Sequence, residues 1–317
     1  MTARRPGPWN FFQNGGTLRA SDEGFALVFA VWADGLLSLL IVTYVVSSRA
    51  RSMEAFAALA RARAQSASHS GVMLAIRDLS LDLDAGDAPT RGPAALKWTK
   101  DGSARVCSPG DDFVIQSRVF DEGGKIDLNT SAPELLTRFL ASALSDPTLA
   151  RDLARLLLER RNANSGSANQ PAAPASPATP NRSRAFASIY DIDRVATLPA
   201  DSLTRILPHV TVHSRASGID PEVAPIALLR LLAGTLVNNA TRQAIIKALP
   251  PAYVTPSAKK YFLVSVLATS ETGAAHQRDA LVELARGSGS AFKIHEWREP
   301  SPPSLPQETG AVRVGGC

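Results

Sequence analysis

Cysteine, histidine and the aromatics are sparse in this chain, and each shortage removes a class of chemistry. Cysteine occurs only twice in 317 residues, as Cys107 and Cys317. So wide a separation gives no metal-ligand spacing and no framework for a small disulfide-stapled fold. The two could pair in an oxidising compartment, but unpaired or loosely paired thiols are the default. Cys317 also fails the prenylation pattern, which needs three residues beyond the cysteine. Five histidines, His69, His209, His213, His276 and His295, are spread over separate segments. His209 and His213 stand four apart, but Val210-Thr211-Val212 between them read as strand, which sets the two rings roughly 13 Å apart and too far to share a metal. None has a carboxylate at ligand spacing. Ser214 follows His213 directly, and neighbours in a strand point to opposite faces, so they do not form a nucleophile and its base. A Gly-x-Ser-x-Gly elbow and a glycine loop for phosphate are both missing. The expectation is a protein that is not an enzyme and requires no cofactor. Lys and Arg number 34 against 29 Asp and Glu, a net charge of +5. These charges are scattered, without the basic run interleaved with aromatics that a nucleic-acid groove needs, so no nucleic acid is expected as partner.

Long apolar runs are equally rare, for there is one. Phe25 to Val46 (FALVFAVWADGLLSLLIVTYVV) spans 22 residues. As a helix it covers roughly 33 Å, close to the ~30 Å hydrocarbon core of a bilayer. A cleaved signal peptide has a shorter apolar region, and Ser47-Ser48-Arg49-Ala50 is a poor cleavage site. An uncleaved signal anchor stays open as an alternative. Arg4-Arg5 lie too far ahead of the run for a twin-arginine signal. With Arg4, Arg5 and Arg19 before the span and Arg49, Arg51, Arg61 and Arg63 after it, charge alone leaves orientation undecided. The helical pattern continues from Ser47 to about Asp78. Met53, Phe56, Ala60, Ala64, Ala67, Gly71 and Leu74 recur at three- and four-residue steps, one stripe of a helix. Small residues on that stripe would let a sheet lie close against it. Span and stripe together predict a helix of about 54 residues, or roughly 80 Å. Asp82, Asp84 and Asp87 with Gly86 and Pro89 then break it. A polar leader ending in Ser21-Asp22-Glu23-Gly24, an abrupt apolar start at Phe25 and unbroken helix beyond resemble the layout of a type IV pilin-like precursor.

About 270 residues follow the span, enough for one large domain or two small ones. Between Ala95 and Ile126, Phe113-Val114-Ile115 and Ser117-Arg118-Val119-Phe120 read as strands, with Gly102, Pro109-Gly110 and Gly123-Gly124 as turns. Ser131 then reads as the N-cap of a helix whose Glu134 completes a capping box. Helices are predicted at about 133–144, 147–161, 188–193, 200–206, 224–233 and 239–248, with Pro147 and Pro225 in first turns. Asn162 to Arg184 interrupts them. Pro171, Pro174, Pro177 and Pro180 fall every third residue there, the period of an extended polyproline segment. Strands return at Tyr261–Ala268, Arg278–Leu284 and Phe292–Trp297, separated by Glu271-Thr272-Gly273 and Gly287-Ser288-Gly289, which predicts an antiparallel meander.

Several stretches together are similar to the K-type minor pseudopilins of bacterial type II secretion systems, the general secretion pathway protein K family. They are Gly24-Phe25 with its apolar run, the helix holding Gln65-Ser66-Ala67, and the block Asp121-Glu122-Gly123-Gly124-Lys125-Ile126-Asp127-Leu128-Asn129-Thr130. Val210-Thr211-Val212-His213-Ser214 follows, leading to Gly218-Ile219-Asp220-Pro221-Glu222-Val223-Ala224-Pro225, and the last is the closing strand around Trp297. The resemblance covers roughly 24–298. It implies an α+β, type IV pilin-like fold: a long N-terminal transmembrane helix and an antiparallel sheet, with a large all-helical domain inserted. The boundaries expected are a prepilin leader over 1–24, a membrane half of the helix over 25–46 and a periplasmic half over 47–84. The sheet is expected from 85–126 and 253–299, the helical insertion over 127–252 with a disordered linker at 162–184, and a flexible tail over 300–317.

By the same resemblance, a prepilin peptidase would cut between Gly24 and Phe25, and Phe25 would then be N-methylated. The large domain would be periplasmic, on a single-pass inner-membrane anchor. Partners would be the I- and J-type minor pseudopilins, other pseudopilins and the inner-membrane secretion platform. Most pseudopilins carry glutamate at the fifth mature position, where this chain has Phe29. Asp34, ten residues into the mature chain, is also unusual, since a carboxylate at that depth costs a few kcal/mol unless neutralised or paired. The leader is long, and Asp22-Glu23 stand where basic residues are commoner. Calcium is possible by resemblance. Asp82, Asp84, Asp87, Asp191 and Asp193 offer hard oxygens, but none forms an EF-hand loop and no ligand set is assigned. Two other functions stay open: a minor pilin of a true type IV pilus, and a membrane-anchored DNA-binding module, because Ile126 to Ser131 resembles the opening of helix-hairpin-helix proteins.

Overall fold

The computed structural model describes residues 22–85, 98–108, 113–165, 186–234, 241–285, 292–300 and 312–314. The leader up to Ser21 lies outside them, as do 166–184 of the predicted linker. The protein is mixed α+β, with a long apolar N-terminal helix and an antiparallel sheet. It divides into two units, Met1–Leu59 and Ala60–Cys317. Helix α1 (Asp22–Ala85) belongs partly to each.

In the first unit every residue from 25 to 59 is exposed. Among the described residues, α1 is the one helix long and apolar enough to cross a membrane. Two of its hydroxyls turn back on their own backbone. Thr43 Oγ1 donates to the Leu40 carbonyl at 2.9 Å, and Ser47 Oγ to that of Thr43.

In the second unit α1 is followed by β1 (Arg105–Cys107), β2 (Phe113–Asp121), β3 (Ile126–Asp127), α2 (Pro133–Ala143), α3 (Pro147–Ser165), α4 (Ala200–Ile206), β4 (Val210–Thr211), α5 (Ile226–Ala233) and α6 (Arg242–Ala248). The strands β5 (Tyr261–Ser270), β6 (Ala275–Leu284), β7 (Phe292–Arg298) and β8 (Val312–Val314) complete it. The main sheet has the order β7-β6-β5-β2-β1-β8, antiparallel except where β8 runs parallel to β1; β3 and β4 form a separate two-residue parallel ladder. The predicted meander is present. β2 is one continuous strand rather than two short runs, because its whole length pairs with β5 from Phe113↔Ser270 to Asp121↔Phe262.

Alternate positions of the sheet supply Ile115, Val119, Phe262, Val264, Val266, Ala268, Ala280 and Val282 to one face, which packs on Val72, Ala75, Ile76, Leu79 and Leu83 of α1. Each fully buried aliphatic or aromatic chain here contributes about 1.5–3 kcal/mol. Gly71 sets the spacing. A Cβ there would lie 2.8 Å from Val266 Cγ1 and 3.3 Å from Ile115 Cγ2. The predicted stripe is corrected in part. Ala64 and Gly71 are buried and Ala67 half-buried, but Met53 and Phe56 are exposed, at 73% and 70%, as is Leu74. The sheet takes the adjacent line Ser68, Val72, Ala75, Ile76 and Leu79, whose larger side chains fill the interface on either side of Gly71.

A polar clamp closes the same face. Buried Ser68 donates from Oγ to the Gln65 carbonyl at 2.8 Å and lies 2.7 Å from His276 Nδ1. His276 Nε2 lies 3.2 Å from Glu299, which Arg278 also holds at 3.0 Å while lying over the Trp297 ring. His69 packs edge-on against Trp297 and His276. Burial, then Arg278 and His276, lower its pKa.

Helices α2 to α6 surround a second core that includes Leu135, Leu136, Phe139, Leu140, Leu153, Leu157, Ile206, Leu228, Leu229 and Ile245. Five expectations are corrected here. Ser131 is not the N-cap of α2; that residue is Ala132, with no side-chain cap, and Pro133 opens the helix. Ser131 is instead buried, with its carbonyl accepting from Arg161 Nη1 at 2.6 Å. A capping box occurs at Ser188 and Asp191, where the predicted helix is a 3-10 turn, Ile189–Ile192. Helix α3 runs on to Ser165, past the start of the predicted linker, since Asn162 to Ser165 still propagate its hydrogen bonds. In the tail predicted to be flexible, Val312–Val314 pairs along β1, whose outer edge would otherwise offer unpaired backbone groups. Cys107, at the end of β1, is disulfide-bonded, which replaces the default of free thiols.

His209 sits at the edge of the helical core, its ring 6.0 Å from that of Phe139 and its Nδ1 buried without a partner. Burial, then nearby Lys125, lowers its pKa from 6.5 to about 4. The folded value lies below the unfolded one, so neutral His209 contributes stability that is present above pH 6.5 and lost as pH falls towards 4. The full gap corresponds to about 3 kcal/mol, an upper bound because the ring edge meets solvent. Urea unfolding at pH 7 and pH 4.5 should show a smaller stability difference for His209→Phe than for the natural protein. An identical difference in both would remove His209 as the cause.

Candidate functional site

Two regions carry the residues singled out in the sequence: the start of α1, and the seam where the Asp121–Thr130 block meets the Gly218–Pro225 block. Gly24 and Phe25 fall in the first turn of α1, where backbone N–H groups have no intrahelical acceptor. Phe25 and Phe29 are exposed, as is Asp34, and among the described residues Asp34 has no side-chain partner.

The seam is densely bonded. At the end of β2, Asp121 caps a 3-10 turn, Glu122–Gly124, its Oδ1 accepting from Gly123 N at 2.8 Å and Ser257 Oγ at 2.7 Å. Its Oδ2 is buried without a partner. Burial raises the Asp121 pKa, aided by the charges of Glu122 and Asp220 and against these hydrogen bonds. Gly123 O accepts from Asp220 N at 2.9 Å, so the two blocks meet backbone to backbone. Asp220 then spreads its carboxylate over Glu222 N at 3.0 Å and Ser257 N at 2.9 Å. Ile219 bonds both ways with the next segment, to Tyr253 O at 2.8 Å and from Thr255 N at 2.9 Å. Arg242 of α6 ties down the turn through the carbonyls of Pro221 and Ala224, both at 2.9 Å, and reaches Asp101 at 2.6 Å.

Asp127 is the second centre. It is fully buried, and each of its oxygens accepts two hydrogen bonds: Oδ1 from Asn129 N and Thr130 N, Oδ2 from Arg215 N and Ser214 Oγ. One carboxylate therefore holds the chain after β3 and the chain after β4 together. Asn129 extends the hold, exchanging two bonds with the backbone of Phe186 at 2.7 and 3.0 Å. Between Asp121 and Asp127, Lys125 and Glu122 form a buried ion pair at 2.6 Å, with the ammonium over the Phe120 ring. His213 and Ser214 lie in a loop rather than a strand, because β4 ends at Thr211. Ser214 Oγ is committed to Asp127.

Of the oxygens considered for calcium, those of Asp82 and Asp191 are engaged within the protein. Asp82 accepts from Lys100, and Asp191 from Arg194 and from the backbone of Ala187 and Ser188. Asp193 is exposed, and the side chains of Asp84 and Asp87 lie outside the described residues. Among the described residues no group of three or more His, Cys, Asp or Glu is placed to hold a metal, and no role is derived through calcium. Sequence reasoning missed Ser257, Arg242 and Tyr253 as partners of the two blocks. Only Asp220-Pro221 carried a local signal, that of a turn. Compared with protein-family models and with curated proteins, the chain finds no match.

The seam is tight enough to test. A Cβ on Gly124 would lie 2.7 Å from the Val223 carbonyl oxygen and 2.8 Å from Ala224 N and Cα, all backbone atoms that cannot step aside. Gly124→Ala should therefore destabilise the second unit by about 1–3 kcal/mol or more, read as a lower melting temperature. A melting temperature unchanged within error would show that the seam yields. Asp127→Ala, which strands buried donors, should cost a comparable amount.

Proposed function

We propose that this protein is a minor pseudopilin at the tip of a type II secretion pseudopilus, where it initiates assembly and supports protein export across the outer membrane. The observation that carries this reading is the division of labour along α1. Its apolar start, Phe25 to Val46, is exposed along its whole length, and its later turns hold an antiparallel sheet against Gly71. A helix used that way matches a type IV pilin-like fold. The separate core of α2 to α6, which lies between β3 and β5 in the chain, matches a helical domain inserted into it. The disulfide at Cys107 accords with an oxidising compartment such as the periplasm. No cofactor is needed.

Phe29 argues for the tip. A glutamate at the fifth mature position can pair with the N-terminal ammonium of the subunit ahead, and an unpaired carboxylate in an apolar bundle is costly. A subunit with nothing ahead gains by lacking it. In this scheme the I- and J-type minor pseudopilins join through their N-terminal helices, other pseudopilins and the inner-membrane platform follow below, and the bulk of the helical part obstructs stacking above. A minor pilin of a true type IV pilus shares every one of these features except its neighbours. A membrane-anchored DNA-binding module is disfavoured because the α2–α3 connection, Leu144-Ser145-Asp146, has no glycine hairpin to meet phosphate. Duplex DNA should accordingly show no binding that weakens steeply with salt.

Two measurements test the proposal. Intact mass and N-terminal sequencing of membrane-extracted protein should give a methylated chain beginning at Phe25, and retention of residues 1–24 would count against processing. Phe29→Glu should not improve assembly, whereas a subunit found along the shaft at a stoichiometry near that of the major pseudopilin would rule out the tip.

A further inference from the structure

Strand β7 departs from regular pairing at one place. Leu281 faces Glu296 and Val282 faces Ile294, so His295 is an extra residue on β7. Such a bulge re-aims side chains. Here it turns both His295 and Glu296 to the sheet face opposite α1. His295 Nε2 lies 2.6 Å from Glu283, which Lys260 also holds at 2.8 Å. Glu296 is held by Arg298 through Oε2 at 3.1 Å, and Arg298 in turn donates to the Tyr190 hydroxyl at 2.9 Å. Glu296 Oε1 faces a residue from the other side of the unit, His213, in the loop after β4.

The His213 contact is incomplete. Its Nε2 stands 3.8 Å from Glu296 Oε1, beyond hydrogen-bond reach. The ring lies 5.8 Å from that of Tyr261 and 6.2 Å from that of His295. Beside it is a cavity of about 30 Å³, lined in part by Glu122, Lys125, His213, Glu296 and Arg298. Among the described residues, the charges named around His213 are already matched: Lys125 with Glu122, Arg298 with Glu296, and Lys260 and His295 with Glu283. The loop's backbone is pinned on both sides, by Thr211 Oγ1 on His213 N and Asp127 Oδ2 on Arg215 N, which leaves the imidazole as the movable part.

We propose that His213 is a proton-operated latch, whose imidazolium closes the gap onto Glu296 and clamps the loop after β4, and the helical layer behind it, against the β5-β6-β7 face. Closing to hydrogen-bond distance needs a movement of about 1 Å, which the neighbouring cavity allows. The carboxylate is ready in position, since Arg298 holds it through Oε2 at 3.1 Å and leaves Oε1 facing the imidazole. Lys260 and His295 hold the pKa of Glu283 at about 2, so His295 is already engaged and the unfilled position belongs to His213. The latch acts oppositely to His209: acidification engages it, whereas burial of His209 favours the neutral form. It does not depend on the secretion reading.

Hydrogen exchange of the full-length protein in detergent micelles, corrected for intrinsic rates, tests this at pH 7.5 and pH 5.5. Amides of residues 210–217 should be protected about fivefold more, or better, at the lower pH. His213→Gln and Glu296→Gln should each abolish that gain, while His295→Gln and His209→Phe should keep it. Equal protection at the two pH values in the natural protein, or a gain that survives His213→Gln or vanishes in His295→Gln, would overturn the proposal. Should either loop variant fail to fold, a histidine-selective NMR titration of the natural protein decides. The His213 resonance must titrate in step with the protection gain, and a mismatch refutes the latch.

Discussion

The close approach of the α1 backbone to β5 and β2 at Gly71 is the constraint on which the second unit rests. With no side chain at that point, Val266 and Ile115 come within contact of the helix backbone. Larger residues on either side, Val72, Ile76 and Leu79, then fall into register with alternate positions of three strands. A bulkier residue would hold the two layers apart and leave voids beneath each of those side chains, and close-packed interiors tolerate such gaps poorly. The Ser68–His276 hydrogen bond and the Arg278–Glu299 pair add direction to this contact. Apolar packing alone would let the helix slide along the sheet by a turn; a buried hydroxyl with a single histidine partner does not.

Where the sheet ends, the organising forces change from apolar to polar. The backbone between β2 and α2 turns sharply through buried surroundings, and buried N–H groups there must find acceptors. Asp121, Asp127 and Asp220 supply them, each accepting from main-chain amides just ahead in sequence, while Asp127 and Asp220 also accept from the remote amides of Arg215 and Ser257. These aspartates behave as replacement backbone partners, a role that needs a short, rigid acceptor with two oxygens. The buried Lys125–Glu122 pair adds little net stability by itself, but loss of either partner would leave a buried charge.

The fold was legible where periodicity is strong and local. The apolar span, the meander of β5 to β7 and helices α2 and α4 can be read from residue spacing, because each element shows its own period over several turns or strand positions. The clasp was legible only as unusual words in the sequence. Asp121 to Thr130 stood out, but that its partners include Ser257, Ser214 and Arg215 depends on tertiary contacts that no local pattern records. The same holds for Ser131. Its sequence context fits a cap, yet Asp127 already accepts from the Asn129 and Thr130 amides upstream and Pro133 removes a donor at the helix start. Strand β8 was missed for a related reason, since three residues are too few to show alternation, and its partner strand lies far upstream.

That last pairing has a consequence for solubility. Arg105 of β1 is opposite Val312, so one rim of the sheet is covered by a three-residue strand drawn from far along the chain. Without it β1 would present an open row of donors and acceptors to any other chain nearby. A molecule whose β8 had come away would thus be sticky along one rim while its helix–sheet core stayed formed. Three residues act as a removable cover, and their hold on β1 decides whether that rim meets its own chain or another.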